Sequence, residues 1–221
     1  MIIPTYSFNK IINPPFYVKQ ETEEIMKRIS NKIPDFRIVD FGAGTGRLTI
    51  PLLKSNFNII AVDIDNKSLI QLRTNTQKIR KIKNLKTANT INRKNYYSYI
   101  VGSDILHHID INKYFMVLYK ALKYDGKVIF SEPNSWHIFW WFFVIMFLNF
   151  NEEKGIVHCN CFSLRKELKQ AGFRNIKIDG FGLFPPQIFA NIKILLRLNN
   201  ILGSLPILKC FSFRLIIEAS K

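Results

Sequence analysis

Val39-Asp40-Phe41-Gly42-Ala43-Gly44-Thr45-Gly46 places three alternating glycines directly after an apolar run. Backbone without Cβ atoms can pass close to a ligand, so the stretch makes a slot of nucleotide size. Its spacing is G-x-G-x-G. A dinucleotide turn needs another glycine three residues after Gly44, where Arg47 stands. Asp40 occupies the place where dinucleotide folds carry an apolar residue, and a carboxylate there can receive a ligand ammonium. Further on, Val62-Asp63 ends a second apolar run. Its carboxylate would reach the crevice at the ends of the first two strands and could accept both hydroxyl hydrogens of a ribose. Capping the following helix is the simpler role for an aspartate, but Asp65, just before Asn66-Lys67, is the better cap.

Two adjacent histidines, His107 and His108, follow a later apolar run and could supply a general base. Adjacent side chains point in different directions, so at least one of the pair is expected to be structural. His158-Cys159-Asn160-Cys161 offers soft ligands, yet the spacing is not C-x-x-C and no second pair follows, so no metal is expected. Glu132-Pro133-Asn134 either borders an acceptor pocket or closes a turn.

These residues need elements to hold them, and the pattern supplies an alternation of strands and helices. Tyr17 to Ile29 reads as an amphipathic helix, Arg37 to Phe41 as a short buried strand, and the glycine turn as opening a helix through Leu53. Strands are predicted at Asn58–Val62, Leu85–Ile91, Tyr97–Ser103, Lys127–Ser131, Asn175–Ile178 and Phe211–Ala219. Helices are predicted from about Lys67, over Ile111–Lys123, and from Ser163, read as an N-cap, to a stop at Gly172. The fold class is α/β, a doubly wound, mostly parallel sheet of about seven strands. Two segments break the rhythm: Trp136–Phe150, almost wholly apolar, and Gln187–Leu202, apolar with a basic stripe.

A chain of 221 residues suits one domain with a core of its own. Three irregularly spaced cysteines form no disulfide framework, and the first sixteen residues lack the pattern of a signal peptide, so a cytoplasmic protein is expected. The net charge of +16 points to an anionic partner, or equally to compositional drift on solvated surfaces. No acid lies between Asp65 and Asp104, while nine lysines and arginines do, so that segment presents a basic face.

VDFGAGTG, AVDID, SDILHHI, LKYDGKVIFSEPN and LKQAGFRNIKI, in this order, resemble the successive motifs of the class I S-adenosylmethionine-dependent methyltransferases, above all the branch that modifies quinone precursors and other small molecules. The resemblance covers about residues 18 to 180. It implies a Rossmann-like methyltransferase fold over 1–221, with a cofactor-binding core at 18–135 and acceptor-side segments at 136–210. It further implies S-adenosylmethionine as cofactor, with Asp40 facing the methionine ammonium, Gly42, Ala43, Gly44 and Gly46 lining the methionine and ribose, and Asp63 on the ribose hydroxyls. Ile64 and Asp104 complete the implied set. Where the family carries an acid after strand three, this chain has Thr87-Ala88-Asn89-Thr90, which leaves Asn89 to accept from the adenine amino group. His107 or His108 would assist an oxygen acceptor. Asn13-Pro14-Pro15-Phe16 imitates the tetrapeptide of nucleic-acid amino-methyltransferases, but that motif ends strand four, not the N-terminal turn.

The two apolar segments set the expected acceptor. A helix over 136–150 would be about 22 Å long, short of the roughly 30 Å hydrocarbon core, so it lies against protein, ligand or lipid without spanning. Lys193, Arg197 and Asn200 share one face of the second helix, a pattern suited to anionic headgroups and also to a lid. The expected acceptor is therefore hydrophobic or lipid-linked, met at an anionic membrane surface. An RNA methyltransferase and a non-catalytic binding protein of the same fold are the alternatives, and nucleic acid is the less favoured partner because no RNA-binding module accompanies the domain.

Overall fold

The structure is a computed structural model that describes residues 8–29, 37–147, 150–189 and 192–221. The apolar runs become seven strands: β1 (Ile38–Phe41), β2 (Ile59–Val62), β3 (Leu85–Ala88), β4 (Tyr97–Ser103), β5 (Leu122–Pro133), β6 (Arg174–Phe181) and β7 (Arg214–Ser220). They form one sheet in the order β3-β2-β1-β4-β5-β7-β6. β1 to β5 pair in parallel, and β7 enters antiparallel between β5 and β6. The order reverses beside β1, between β2 and β4, so the crevice over the carboxyl ends of these strands is where a ligand can enter such a sheet.

Alternate strand residues feed two cores, as a sheet covered on both faces requires. Ile38, Ile59, Tyr99 and Ile129 pack on the face covered by α2 (Phe16–Lys27), α3 (Thr49–Lys54) and α4 (Asn66–Lys78), while a short α1 (Phe8–Ile12) adds Ile11. Val39, Ile100, Phe130 and Ile217 pack on the other, under α5 (Ile111–Ala121) and α8 (Cys161–Gln170). Between β5 and α8 lie α6 (Ile138–Phe147) and α7 (Phe150–Glu153), and α9 (Lys193–Ser204) follows β6. The apolar helical insertion after strand five is thus present, as α6 and α7 on either side of residues 148–149.

Local chemistry sets several boundaries. Asp65 caps α4, accepting from the backbone N–H groups of Lys67 and Ser68, and Asp110 caps α5 through Lys113 N–H. The expected cap at Ser163 is corrected. Asn160 caps α8, taking the N–H groups of Phe162 and Ser163, so Ser163 is the recipient of the cap. The glycine turn does not lead straight into a helix, since α3 starts only at Thr49. The second anomalous segment begins with a 3-10 turn, Pro186–Phe189, and its helix starts at Lys193. Part of each anomalous segment, 148–149 and 190–191, lies outside the described residues.

Candidate active site

The glycine turn bridges β1 and α3 at the sheet's reversal, and its glycines serve different neighbours. A Cβ on Gly42 would stand 2.5 Å from the Ile105 side chain, and one on Gly46 would stand 2.6 Å from Leu72, so packing excludes side chains at both. A Cβ on Gly44 would meet nothing within 4 Å. Gly44 is the glycine that borders open space, and its φ of 49° lies in the left-handed region. Ala43 turns into the core, its N–H bonded to Val62 O and its carbonyl accepting from Gly46 N–H. The turn therefore fixes its own shape before any ligand arrives.

Asp63 follows β2 and faces this turn. Its Oδ2 accepts Gly44 N–H at 2.7 Å and its Oδ1 accepts Asp65 N–H at 2.9 Å. The carboxylate is only partly buried, which leaves lone pairs for ribose hydroxyls. Asn89 donates to Asp63 O and to Asn66 Oδ1, so its amide nitrogen is committed and its carbonyl is the acceptor left over. Ile64, 84% exposed, stands next to them as an apolar surface. Asp63, Ile64, Asn89 and Gly44, all expected at the cofactor, thus lie beside one another.

Asp40 is fully buried beneath the turn and accepts from the Thr49 hydroxyl. Burial, helped by the nearby Asp63 charge and opposed by the Thr49 hydrogen bond, raises its pKa from 3.8 to about 7. A positive ligand group close by would pull that value back down.

Asp104, expected at the cofactor, belongs to an ion network. One carboxylate oxygen takes Arg214 Nη2 at 2.6 Å and the other takes Arg47 Nη1. Glu21 of α2 completes the group, accepting from Arg47, Arg214, Ser131 and Ser103. Burial alone would raise the Asp104 pKa, but Arg214 and Arg47 outweigh it and hold the carboxyl well below the ordinary range. Two guanidinium groups and two carboxylates balance, which lets α2, the glycine turn, β4 and β7 meet on charged atoms that burial would otherwise disfavour. Glu21, Arg47 and Arg214 were not legible as site residues, because they meet across 26 to 193 positions of chain with no local spacing to mark them.

The two histidines separate by role. His107 is buried, with Nδ1 2.7 Å from Glu132 Oε2 and Nε2 3.3 Å from Glu153 Oε2. Burial opposes its charge, yet the two carboxylates raise its pKa to about 10, so it is an imidazolium at neutral pH with both nitrogens donating. With both ring nitrogens engaged by carboxylates, His107 fits the structural member of the pair. Glu132 also accepts the N–H groups of Ile105 and Leu106 at 2.9 Å each, so it organises the loop after β4 and borders no open pocket itself. A Cβ on Gly155 would lie 1.9 Å from His107 O, so the turn after α7 fits against this loop only as glycine.

His108, its ring centroid 4.0 Å from that of His107, is exposed. Partial desolvation and the adjacent His107 charge lower its pKa, which keeps the imidazole neutral near pH 7 and able to take a proton. Ligand-capable atoms of His107, His108 and Glu153, and likewise of His107, Glu132 and Cys159, lie within 4.8 Å of one another. In both sets each His107 ring nitrogen already faces a carboxylate, Glu132 at 2.7 Å and Glu153 at 3.3 Å. In the His-Cys-Asn-Cys stretch, Cys159 is buried, Asn160 is the cap, and Cys161 hydrogen-bonds toward Cys210 with its thiol pushed up to about 12, so the four residues do not converge.

A reversed α/β sheet with an antiparallel seventh strand, a G-x-G-x-G turn on β1 and an acid closing β2 onto that turn define the class I S-adenosylmethionine-dependent methyltransferases. This chain belongs to the methyltransferase domain family, whose model matches residues 17–178. Ubiquinone biosynthesis O-methyltransferase of Rickettsia conorii is 24% identical over 121 residues, 52% of this chain and 41% of that protein. The chain spans less than half the length of the curated relatives it matches. Among solved structures, a Haemonchus contortus phosphoethanolamine N-methyltransferase 2 with S-adenosylhomocysteine bound aligns with 99% of this chain and 58% of its own, at TM-score 0.69 and 17% identity. Geranyl diphosphate C-methyltransferase from Streptomyces coelicolor aligns with 91% of this chain and 75% of its own, at TM-score 0.63 and 13% identity. The names of these relatives cover oxygen, nitrogen and carbon acceptors, so the likeness fixes the fold and leaves the acceptor to the site.

Proposed function

We propose that the chain transfers the methyl group of S-adenosylmethionine to an oxygen of a hydrophobic, lipid-linked acceptor. Asp63 and Gly44 hold the ribose end of the cofactor, Ile64 and Asn89 border its adenine, and Asp40 lies beneath the methionine end. The reaction is an in-line displacement: the acceptor oxygen forms a bond to the methyl carbon while the carbon–sulfur bond breaks, leaving S-adenosylhomocysteine. Alignment supplies much of the rate, and removal of the acceptor proton supplies more. His108 is the base in this reading, since it is exposed and neutral while its neighbour His107 is locked as a cation.

The observation that carries the acceptor class is the run from Pro133 to Asn151, which holds no lysine, arginine, aspartate or glutamate and rises directly from the carboxyl end of β5. Trp136 stands at its start, 44% exposed and stacked on Phe162, itself 64% exposed. An apolar rim of this kind suits a greasy acceptor better than a polar metabolite.

Incubation with isotopically labelled S-adenosylmethionine and separate lipid and polar extracts tests the reading by mass spectrometry. Label is expected in an organic-phase product as a methyl ether, reduced by His108→Gln. Label confined to polar products overturns the lipid acceptor. The basic stretch from Asn66 to Ser103 favours RNA as a second substrate class, and salt-sensitive RNA binding with label in RNA would establish it.

A further inference from the structure

The outward side of α9 is inverted relative to a solvent-facing helix. Its inward side is Leu196, Asn199 and Gly203, all buried. At 100° per residue the opposite side carries Ile194, Leu198 and Ile201, which are 67%, 51% and 58% exposed. A soluble helix carries charge on that side. Here the charges, Lys193 and Arg197, are exposed on the flank toward α2, where Lys193 Nζ lies 5.6 Å from the Phe16 ring centroid and Arg197 borders a cleft shared with Glu23, Glu24 and Asp179. The seat of this helix is specific: Asn199 accepts the N–H groups of Leu183 and Phe184 and donates to Phe184 O. A Cβ on Gly203 would stand 2.6 Å from Gly182 backbone, so the close approach is built into the sequence. Rotating α9 to bury its apolar side would break these contacts.

α6 repeats the anomaly. Only Val144 among its described side chains is fully buried, while Ile138, Phe142, Ile145 and Met146 are 58% to 76% exposed. Both indole nitrogens of its tryptophans point inward, Trp140 to Phe213 O and Trp141 to Ser135 O. Polar atoms are thus satisfied by the protein and apolar atoms are left outside. The two helices are joined. His137, at the start of α6, lies 3.0 Å from Leu183 O, in the loop that Asn199 holds, and Trp136 packs beside Phe211 in the turn after α9.

Charge selects the occupant. From Gly180 to Ile217 the chain has no acid, and besides Arg214, which is buried in its ion network, it has Lys193, Arg197 and Lys209; from Pro133 to Asn151 it has no acidic or basic residue other than His137. A second copy would bring the same cations against each other on a protein of net charge +16. No helix among the described residues is long and apolar enough to cross a membrane. We propose that α6 and α9 form a monotopic docking surface that sinks its aliphatic and aromatic side chains into one leaflet of an anionic bilayer, with Lys193 and Arg197 at the headgroups. This rests on the lipid-linked acceptor reading: docking would present the acceptor to the mouth beside Trp136 without lifting it into water.

Flotation of the full chain with phosphatidylcholine vesicles, and with vesicles containing about a third phosphatidylglycerol, tests the proposal. The anionic vesicles are expected to carry the protein up, and raising salt from about 0.1 to 0.5 M should weaken binding about tenfold or more. Lys193→Gln with Arg197→Gln should cost about fivefold per charge on anionic vesicles alone. Ile194→Glu with Ile201→Glu, and separately Ile145→Glu, should abolish flotation while S-adenosylhomocysteine binding stays at the wild-type value, which certifies folding. Wild-type protein left at the bottom with anionic vesicles at low salt overturns the proposal. So does a stable dimer whose tryptophan emission is already shielded without vesicles, which assigns the face to a second copy. Retained flotation with no label in any lipid would instead sink the acceptor reading and leave docking intact.

Discussion

Replacing Asp40 by Asn changes one atom in a fully buried site and predicts a specific change in how stability depends on pH. In the folded chain Asp40 titrates at about 7, against 3.8 for an ordinary aspartate, because burial disfavours the carboxylate. The difference of roughly three pKa units, at about 1.4 kcal/mol each, amounts to about 4 kcal/mol. The unfolded chain gives up this proton near pH 4 while the folded chain keeps it, so between pH 4 and 7 the folded state binds more protons. Stability from this group is complete below pH 4 and lost as pH rises through 7. Asn retains a carbonyl to accept the Thr49 hydroxyl and has no charge to bury. Urea unfolding followed by tryptophan fluorescence should therefore show Asp40→Asn gaining on the wild type by about 2–4 kcal/mol between pH 4.5 and 7.5. The comparison of the two chains matters more than either slope alone, because His107 adds its own pH dependence at the alkaline end. Parallel stability curves over this range would refute the reasoning.

His107→Gln should destabilise the fold, since it leaves Glu132 and Glu153 without their cation; unfolding experiments should place the loss at about 3–5 kcal/mol. Because the folded His107 titrates at about 10 against 6.5 unfolded, its stabilising effect is full below pH 6.5 and lost as pH rises through 10, which denaturation at pH 6 and pH 10 can measure. His108→Gln should behave oppositely, with stability near wild type and turnover reduced by about 10²-fold at unchanged cofactor affinity; full activity removes the base. Gly155→Ala should cost about 1–3 kcal/mol in thermal unfolding, because the new methyl group would overlap His107 O.

The strand-forming runs, the order of elements and the Asp65 cap were legible because each is written in neighbouring residues, and the pairing of the glycine turn with Asp63, 19 residues from Gly44, because each follows a strand in the same ordered set of motifs. Asn160 displaced Ser163 as a cap through a local choice that the apolar pattern does not decide: its carbonyl reaches two N–H groups at once. The ion network was illegible for a different reason. Glu21, Arg47, Asp104 and Arg214 come from four parts of the fold; Asp104 was expected at the cofactor, and each of the other three alone looks like a surface charge. The same holds for His107, whose character is set by Glu132 at the end of β5 together with Glu153 arriving from α7 after an apolar insertion. The glycines carried a false economy of explanation: all three fit a ligand slot on paper, yet Ile105 and Leu72 account for two of them.

Calorimetric titration with S-adenosylhomocysteine, repeated with Asp63→Ala and in the presence of NAD, tests the central claim most directly. Saturable binding at one site is expected, weakened by about 1–3 kcal/mol in Asp63→Ala and indifferent to NAD, because the carboxylate that accepts Gly44 N–H is the one proposed to take the ribose hydroxyls. No heat of binding from a folded wild-type chain, unchanged affinity in the variant, or competition by NAD would contradict it.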